Sequence, residues 1–65
     1  MKEYGKATRK LLKDNGCYFV RQGKGDHEIW YSPITGRNVS VDGKIYPRHT
    51  ANGILKDAGI KERFR

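Results

Sequence analysis

Turn residues cut this chain into five short segments, none of which can hold a structure by itself. Asn15-Gly16, Gln22-Gly23-Lys24-Gly25-Asp26, Pro33 with Thr35-Gly36, Asp42-Gly43 and Gly59 recur at short intervals. Such residues punctuate chains because they favour tight, often left-handed turns. Isolated helices and hairpins of this length are marginal in water, so the segments must be stabilised by packing on one another. With 65 residues and an apolar share of 35%, the chain is near the size at which one core barely offsets chain entropy. We read it as one domain over residues 1–65, with room only for surface chemistry by a few side chains.

The period of the apolar residues assigns the segments. Tyr4, Ala7, Thr8, Leu11 and Leu12 recur at helical steps and predict a helix from about Gly5 to Asn15, ended by Asn15-Gly16. Cys17 to Gln22 is rich in aromatic and β-branched residues and reads as a strand. His27 to Ser32 reads as a second, with Ile29 and Tyr31 on the face taken as the core side and Glu28 and Trp30 on the other. Arg37 to Asp42 alternates around Val39 and Val41 as a third. Thr50 is the expected N-cap of a second helix over Ala51–Ala58, with Gly59 as its stop. Pro47 is read as a helix breaker, Ile60 as a staple at the helix end, and Lys61 to Arg65 as a charged tail, frayed or extended. The expected fold is therefore α+β in the order α-β-β-β-α, a three-stranded antiparallel sheet covered on one face by two helices. That is the layout of the double-stranded-RNA-binding domain.

Charge narrows the partner. Lys and Arg number 14 against seven acids, a net charge of +7 spread from Lys2 to Arg65. Such an excess predicts a polyanion, and nucleic acid first, because each neutralised phosphate releases condensed counterions. Cys17 is alone, which excludes an internal disulfide, and metal-ligand spacing is absent. Beside Tyr18 and Phe19 it reads as a small buried hydrophobe. No apolar run approaches a membrane span or a signal peptide, so a cytoplasmic protein without cofactor or metal is expected.

The stretch Arg21-Gln22-Gly23-Lys24-Gly25-Asp26-His27 carries the chemical interest. Lys24 and the turn amides around Gly25 are candidates for holding a phosphate, and Arg21 for a bidentate contact. His27 beside that phosphate can move protons near neutral pH. For RNA, attack of a 2′-hydroxyl on its own phosphorus needs a base, alignment and charge stabilisation. On spacing alone the plainer reading leads: a hairpin turn followed by a half-exposed histidine on the core side of its strand. His49 is a candidate proton donor or a loop histidine near a cap. Trp30 and Tyr18 are candidate stacking surfaces for bases, or ordinary strand residues. Lys10, Lys13, Arg37 and Lys44 are candidate phosphate contacts or solvated charge.

Taken in order, these motifs resemble the HicA family of toxin–antitoxin mRNA interferases, also described as YcfA-like. The resemblance spans almost the whole chain: the basic helix ending at Asn15-Gly16, Cys17-Tyr18-Phe19-Val20-Arg21-Gln22, Lys24-Gly25-Asp26-His27, the meander, and Ile54-Leu55-Lys56-Asp57-Ala58-Gly59-Ile60. It implies metal-independent cleavage of mRNA, with the family's catalytic histidine falling on His27. The implied partner is a HicB-like antitoxin that covers the active face, and DNA would be reached only through that antitoxin. The alternative is a non-catalytic RNA-binding module of the same fold. Three positions depart from the family pattern: Asp26 stands where Ser is usual, Glu28 where a second His is common, and Cys17 where a bulky aromatic is usual. Acids held close to His27 would favour its protonated form, and hence an acid role, and would repel RNA phosphate.

Overall fold

The computed structural model describes residues 2–65. Its elements are α1 (Gly5–Asp14), β1 (Tyr18–Gln22), β2 (Glu28–Ser32), β3 (Arg37–Val41) and α2 (Arg48–Asp57). The strands form one antiparallel meander in the order β1-β2-β3. Leu12 of α1 and Ala51, Ile54 and Leu55 of α2 share a core with Trp30, Val39 and Val41, so both helices lie on one face, as the element order predicts. Tyr18, Asn38 and Ser40 on the other face are exposed.

Each helix stops on a glycine by the same device. Gly16 (φ 86°) and Gly59 (φ 79°) take left-handed conformations. The following residues, Cys17 and Ile60, return their N–H groups to Leu12 and Leu55 at 2.9 Å, which closes the last turn in a Schellman arrangement. The end of α2 also docks on the β2–β3 turn. Ser32 Oγ, fully buried, donates to the Ala58 carbonyl at 2.6 Å, and a Cβ on Gly59 would come within 2.7 Å of Ile34 Cγ2.

The start of each helix is less regular. Tyr4 provides no side-chain cap; instead Glu3 Oε2 accepts the N–H groups of Gly5 and Ile45, each at 2.7 Å. These two backbone bonds hold the Glu3 carboxyl below its ordinary range. At α2 the expected boundary is wrong. The helix begins at Arg48 with Pro47 as its N-cap, and Thr50 lies inside the first turn. Pro47 is extended (φ −72°, ψ 129°) and its carbonyl accepts from Thr50 and Ala51. A residue without an N–H loses nothing just ahead of a helix, where no intrahelical donation is required.

The assignment of faces on β2 is also reversed. Trp30 and Ser32 are buried, at 3% and 0% exposure, whereas Ile29 and Tyr31 are half-buried on the open face. Register decides this: Trp30 pairs with Val39 and Glu28 with Val41, and paired residues share a face. Trp30 fills the most volume of any residue, and its indole N–H finds an acceptor in Glu28 Oε1 at 2.9 Å. Arg9 Nε reaches the same oxygen at 2.9 Å, and Arg9 Nη2 donates to the Asp42 carbonyl at 2.8 Å. The C-terminal segment is docked rather than frayed. Asn52 brackets Phe64 through both its backbone groups, and the Phe64 ring lies 4.9 Å from that of Tyr4.

Three predictions follow from this packing. Gly59→Ala is expected to cost about 1–3 kcal/mol, since it combines a left-handed φ with a contact inside van der Waals range; urea unfolding measures it. Thr8 Oγ1 is buried without a partner among the described residues, so Thr8→Val is expected to raise stability by about 1 kcal/mol. The Glu28 carboxyl is lowered by the Trp30 indole bond and by the bond and charge of Arg9, against an opposing effect of burial. A lowered carboxyl contributes stability above its ordinary value of 4.5 and loses it as pH falls through the folded value. Unfolding followed below pH 4.5 should therefore show a shallower acid loss in Glu28→Gln than in the parent.

Candidate functional site

The β1–β2 hairpin shapes the site before any side chain enters it. Gly23 N–H donates to the His27 carbonyl at 2.8 Å, His27 N–H to the Lys24 carbonyl at 3.2 Å, and Gln22 Nε2 to the His27 carbonyl at 2.7 Å. The turn passes through Gly25 at φ 64°, a conformation that a side chain would strain. Lys24, Gly25 and Asp26 keep their N–H groups free of protein acceptors among the described residues. Consecutive free amides of this kind make an anion-binding concavity.

His27 follows that turn. Because the core face of β2 carries Glu28, Trp30 and Ser32, its neighbours in parity, Ile29 and Tyr31, lie on the open side. The expectation that His27 begins on the core side is thus corrected, and its side chain is 46% exposed. Nδ1 lies 3.2 Å from the Lys24 carbonyl oxygen and 3.6 Å from Asp26 Oδ1, and Nε2 lies 3.2 Å from Asp42 Oδ1. Lys24, Gly25, Asp26, His27, Ile29 and Ser40 line an open hollow. Glu28, expected to crowd the imidazole, instead turns to the opposite face and is held by Trp30 and Arg9. Asp26 stays close, and Asp42 joins it.

A β-bulge brings Arg21 to the same side. Phe19 pairs with Trp30 and Arg21 with Ile29, so Val20 is an extra residue in β1. Without it, Arg21 would pair with Glu28 and face the helices; with it, Arg21 shares the open face with Ile29. Tyr18 and Tyr31 pair on that face with ring centroids 5.4 Å apart, and Tyr18 is 56% exposed. Tyr18 is therefore available for stacking. Trp30, the other stacking candidate, is in the core.

The remaining candidates lie elsewhere. Lys10 and Lys13 are on α1, in the helical layer, where Lys10 pairs with Asp14 at 3.0 Å. Arg37 pairs with Ser32, at the end of β2 away from His27. Lys44 is exposed in the β3–α2 connection. His49 is on α2, beside Asn52 and Arg63 and apart from His27. Among the described residues no group of three or more His, Cys, Asp and Glu side chains is placed to hold a metal ion, and no helix is long and apolar enough to cross a membrane.

Two residues of the cluster escape the sequence reading. Asp42 reads there only as half of a turn, and Arg9 carries no reading of its own. The signal for Asp42 is the register: once Glu28 faces Val41, the next residue along β3 lies beside His27. The turns also meet closely, since a Cβ on Gly43 would lie 2.8 Å from the Asp26 carbonyl oxygen.

Comparison with known proteins adds one finding. No curated protein and no solved structure gave a significant match. Residues 5–60 match the family model described as the HicA toxin of bacterial toxin–antitoxin systems. The match spans all five elements, from the first residue of α1 to Ile60. The chain therefore belongs to the HicA toxin family, as the toxin member of a pair whose other half is an antitoxin.

Proposed function

We propose that this toxin is a metal-independent endoribonuclease that cleaves mRNA in the cytoplasm, with His27 as its general acid and base. The observation that carries the reading is the position of an exposed imidazole beside three free backbone N–H groups and Lys24. The amides of Lys24, Gly25 and Asp26 would donate to a phosphate oxygen, and Lys24 and Arg21 would neutralise its charge. Tyr18 and Tyr31 offer a flat surface on which a neighbouring base can stack. Lys10, Lys13 and Arg37 would act at a distance, by drawing the polyanion to the protein.

The RNA itself supplies the nucleophile. The 2′-oxygen forms a bond to phosphorus as its proton passes to the imidazole. The P–O5′ bond breaks, and the leaving oxygen takes a proton from the imidazolium, which restores His27. A 2′,3′-cyclic phosphate and a 5′-hydroxyl result. Because nucleophile and electrophile are already joined, alignment and charge stabilisation carry most of the acceleration. A HicB-like antitoxin would act by covering the open face, and contact with DNA would come only through it.

The carboxylates of Asp26 and Asp42, within 3.6 Å of the imidazole, favour a second reading: an RNA-binding module that does not cut. A defined mRNA incubated with the purified toxin in EDTA separates the two. Cleavage that persists under chelation, and is lost in His27→Ala with RNA affinity kept within a few-fold, is the expected result. Undiminished cutting by His27→Ala would remove His27 from the mechanism, and salt-dependent binding without products would leave the non-cutting module.

A further inference from the structure

The C-terminal segment runs back along α2, and a specific contact holds it there. Asn52 Nδ2 donates to the Phe64 carbonyl at 3.0 Å, and Asn52 Oδ1 accepts the Phe64 N–H at 2.7 Å. The Phe64 ring turns inward onto Tyr4. Arg63 and Arg65, on either side of it, are exposed, and both line a hollow with Arg48, His49 and Asn52. A second hollow, which adds Lys56 and Lys61, shares His49, Asn52 and Arg63 with the first. Together they form one groove between α2 and the C-terminal segment. It shares no lining residue with the hollow at His27.

Two properties mark the groove as a place for a ligand. Its charge is unpaired: Arg48, Lys56, Lys61, Arg63 and Arg65 are five of the chain's 14 Lys and Arg, and Glu62 is the one acid lining it. None of the five enters an ion pair among the described residues. Its floor is also bare. Gly53 lies inside α2 and lines the groove, at a position where glycine is less favourable than alanine. A Cβ there would meet nothing within 4 Å, so internal packing does not require the glycine. The missing side chain leaves room for the backbone of a bound molecule to come close.

The chemistry favours a phosphate backbone over a protein surface as the occupant. Guanidinium forks match phosphate oxygens in pairs. Protein interfaces instead centre on aromatic and apolar anchors, and the chain's large exposed apolar side chains, Tyr18, Phe19, Val20, Ile34 and Tyr46, lie outside the groove. We propose that the groove between α2 and the C-terminal segment is a second RNA-binding site, which holds the phosphates of a strand away from the bond that His27 would cleave. Binding there requires no cleavage. Its effect on turnover rests on the RNA-cutting reading above, and is one of affinity, since the groove is separate from the imidazole.

A single-stranded RNA oligonucleotide methylated at every 2′-oxygen lacks the nucleophile and so reports binding alone. Titrated into the whole protein, it should shift the amide signals of residues 48–53 and 63–65 as well as those of the β1–β2 turn. Arg63→Gln combined with Arg65→Gln should weaken binding at least about fivefold and flatten the slope of log affinity against log salt by about 1.4, the release from two phosphates of a single strand. The fold should survive, because Asn52 bonds the Phe64 backbone and neither arginine side chain. Gly53→Leu fills the groove at unchanged charge; it should weaken binding at least about threefold while the urea midpoint is kept or raised. On unmethylated RNA the arginine pair variant should raise KM with kcat within about twofold, the mark of lost uniform binding.

Unshifted groove signals would overturn the proposal, and so would undiminished binding by either folded variant. Groove signals that respond to poly-glutamate and not to RNA would overturn it in favour of an acidic protein. If the parent cuts no RNA, the RNA-cutting reading falls, and the binding measurements still decide the groove.

Discussion

Arg9 leaves α1 and spends its guanidinium on two groups at one end of the sheet, the Glu28 carboxylate and the Asp42 carbonyl. The same Glu28 oxygen takes the Trp30 indole N–H, so a half-buried ion pair, a core aromatic and the end of β3 share one junction. Its geometry explains why a strand can carry a carboxylate toward the helical layer: the charge is paired and both donors are well aligned. The junction also fixes the end of β3 relative to β2, and the side chains of Asp42 and His27 meet there. Removing one partner would leave the others partly desolvated with unmet bonds, so the cost of breaking it exceeds the worth of any single contact.

The rest of the architecture follows from how little apolar surface 65 residues can bury. The two helices and the docked C-terminal segment close one face of the sheet, with Phe64 pinned by Asn52 against Tyr4. Nothing is left to cover the other. That open face gathers His27, Arg21, Ile29, Tyr31, Tyr18 and Ser40, placed there by strand register, and local devices complete the arrangement. The bulge at Val20 transfers Arg21 across the sheet. The Gly25 turn frees three amides, and the glycine at position 43 lets the β3–α2 connection approach the backbone of Asp26. For a toxin paired with an antitoxin, an uncovered sheet face is a surface that a binding partner can reach.

Much of the fold was legible because it rests on local rules. Glycine stops at Gly16 and Gly59 and the alternation of Val39 and Val41 locate the helix ends and the core face of β3. The same rules misplace β2, since Ile29, Trp30 and Tyr31 are consecutive large residues and alternation alone cannot rank the faces. They also misplace the start of α2: Thr50 is a good cap by type, but Pro47 already holds the extended geometry that precedes a helix. Of the site, the turn and His27 are visible as a contiguous motif. Asp42 and Arg9 are not, because their relation to His27 is made across strands and layers, over separations that no local pattern records.

The histidine motif, the basic charge, the element order and the family likeness were therefore determined by the sequence itself, because each depends on neighbours in the chain or on composition. Tertiary structure decided which face of β2 is buried, and with it that His27 stands in the open and that Glu28 does not crowd it. It also decided which acid replaces Glu28 beside the ring. Those outcomes depend on register. A one-residue change in pairing exchanges the two faces of a strand, and the register here is held by Trp30 against Val39 and by the Arg9 junction at the sheet's end.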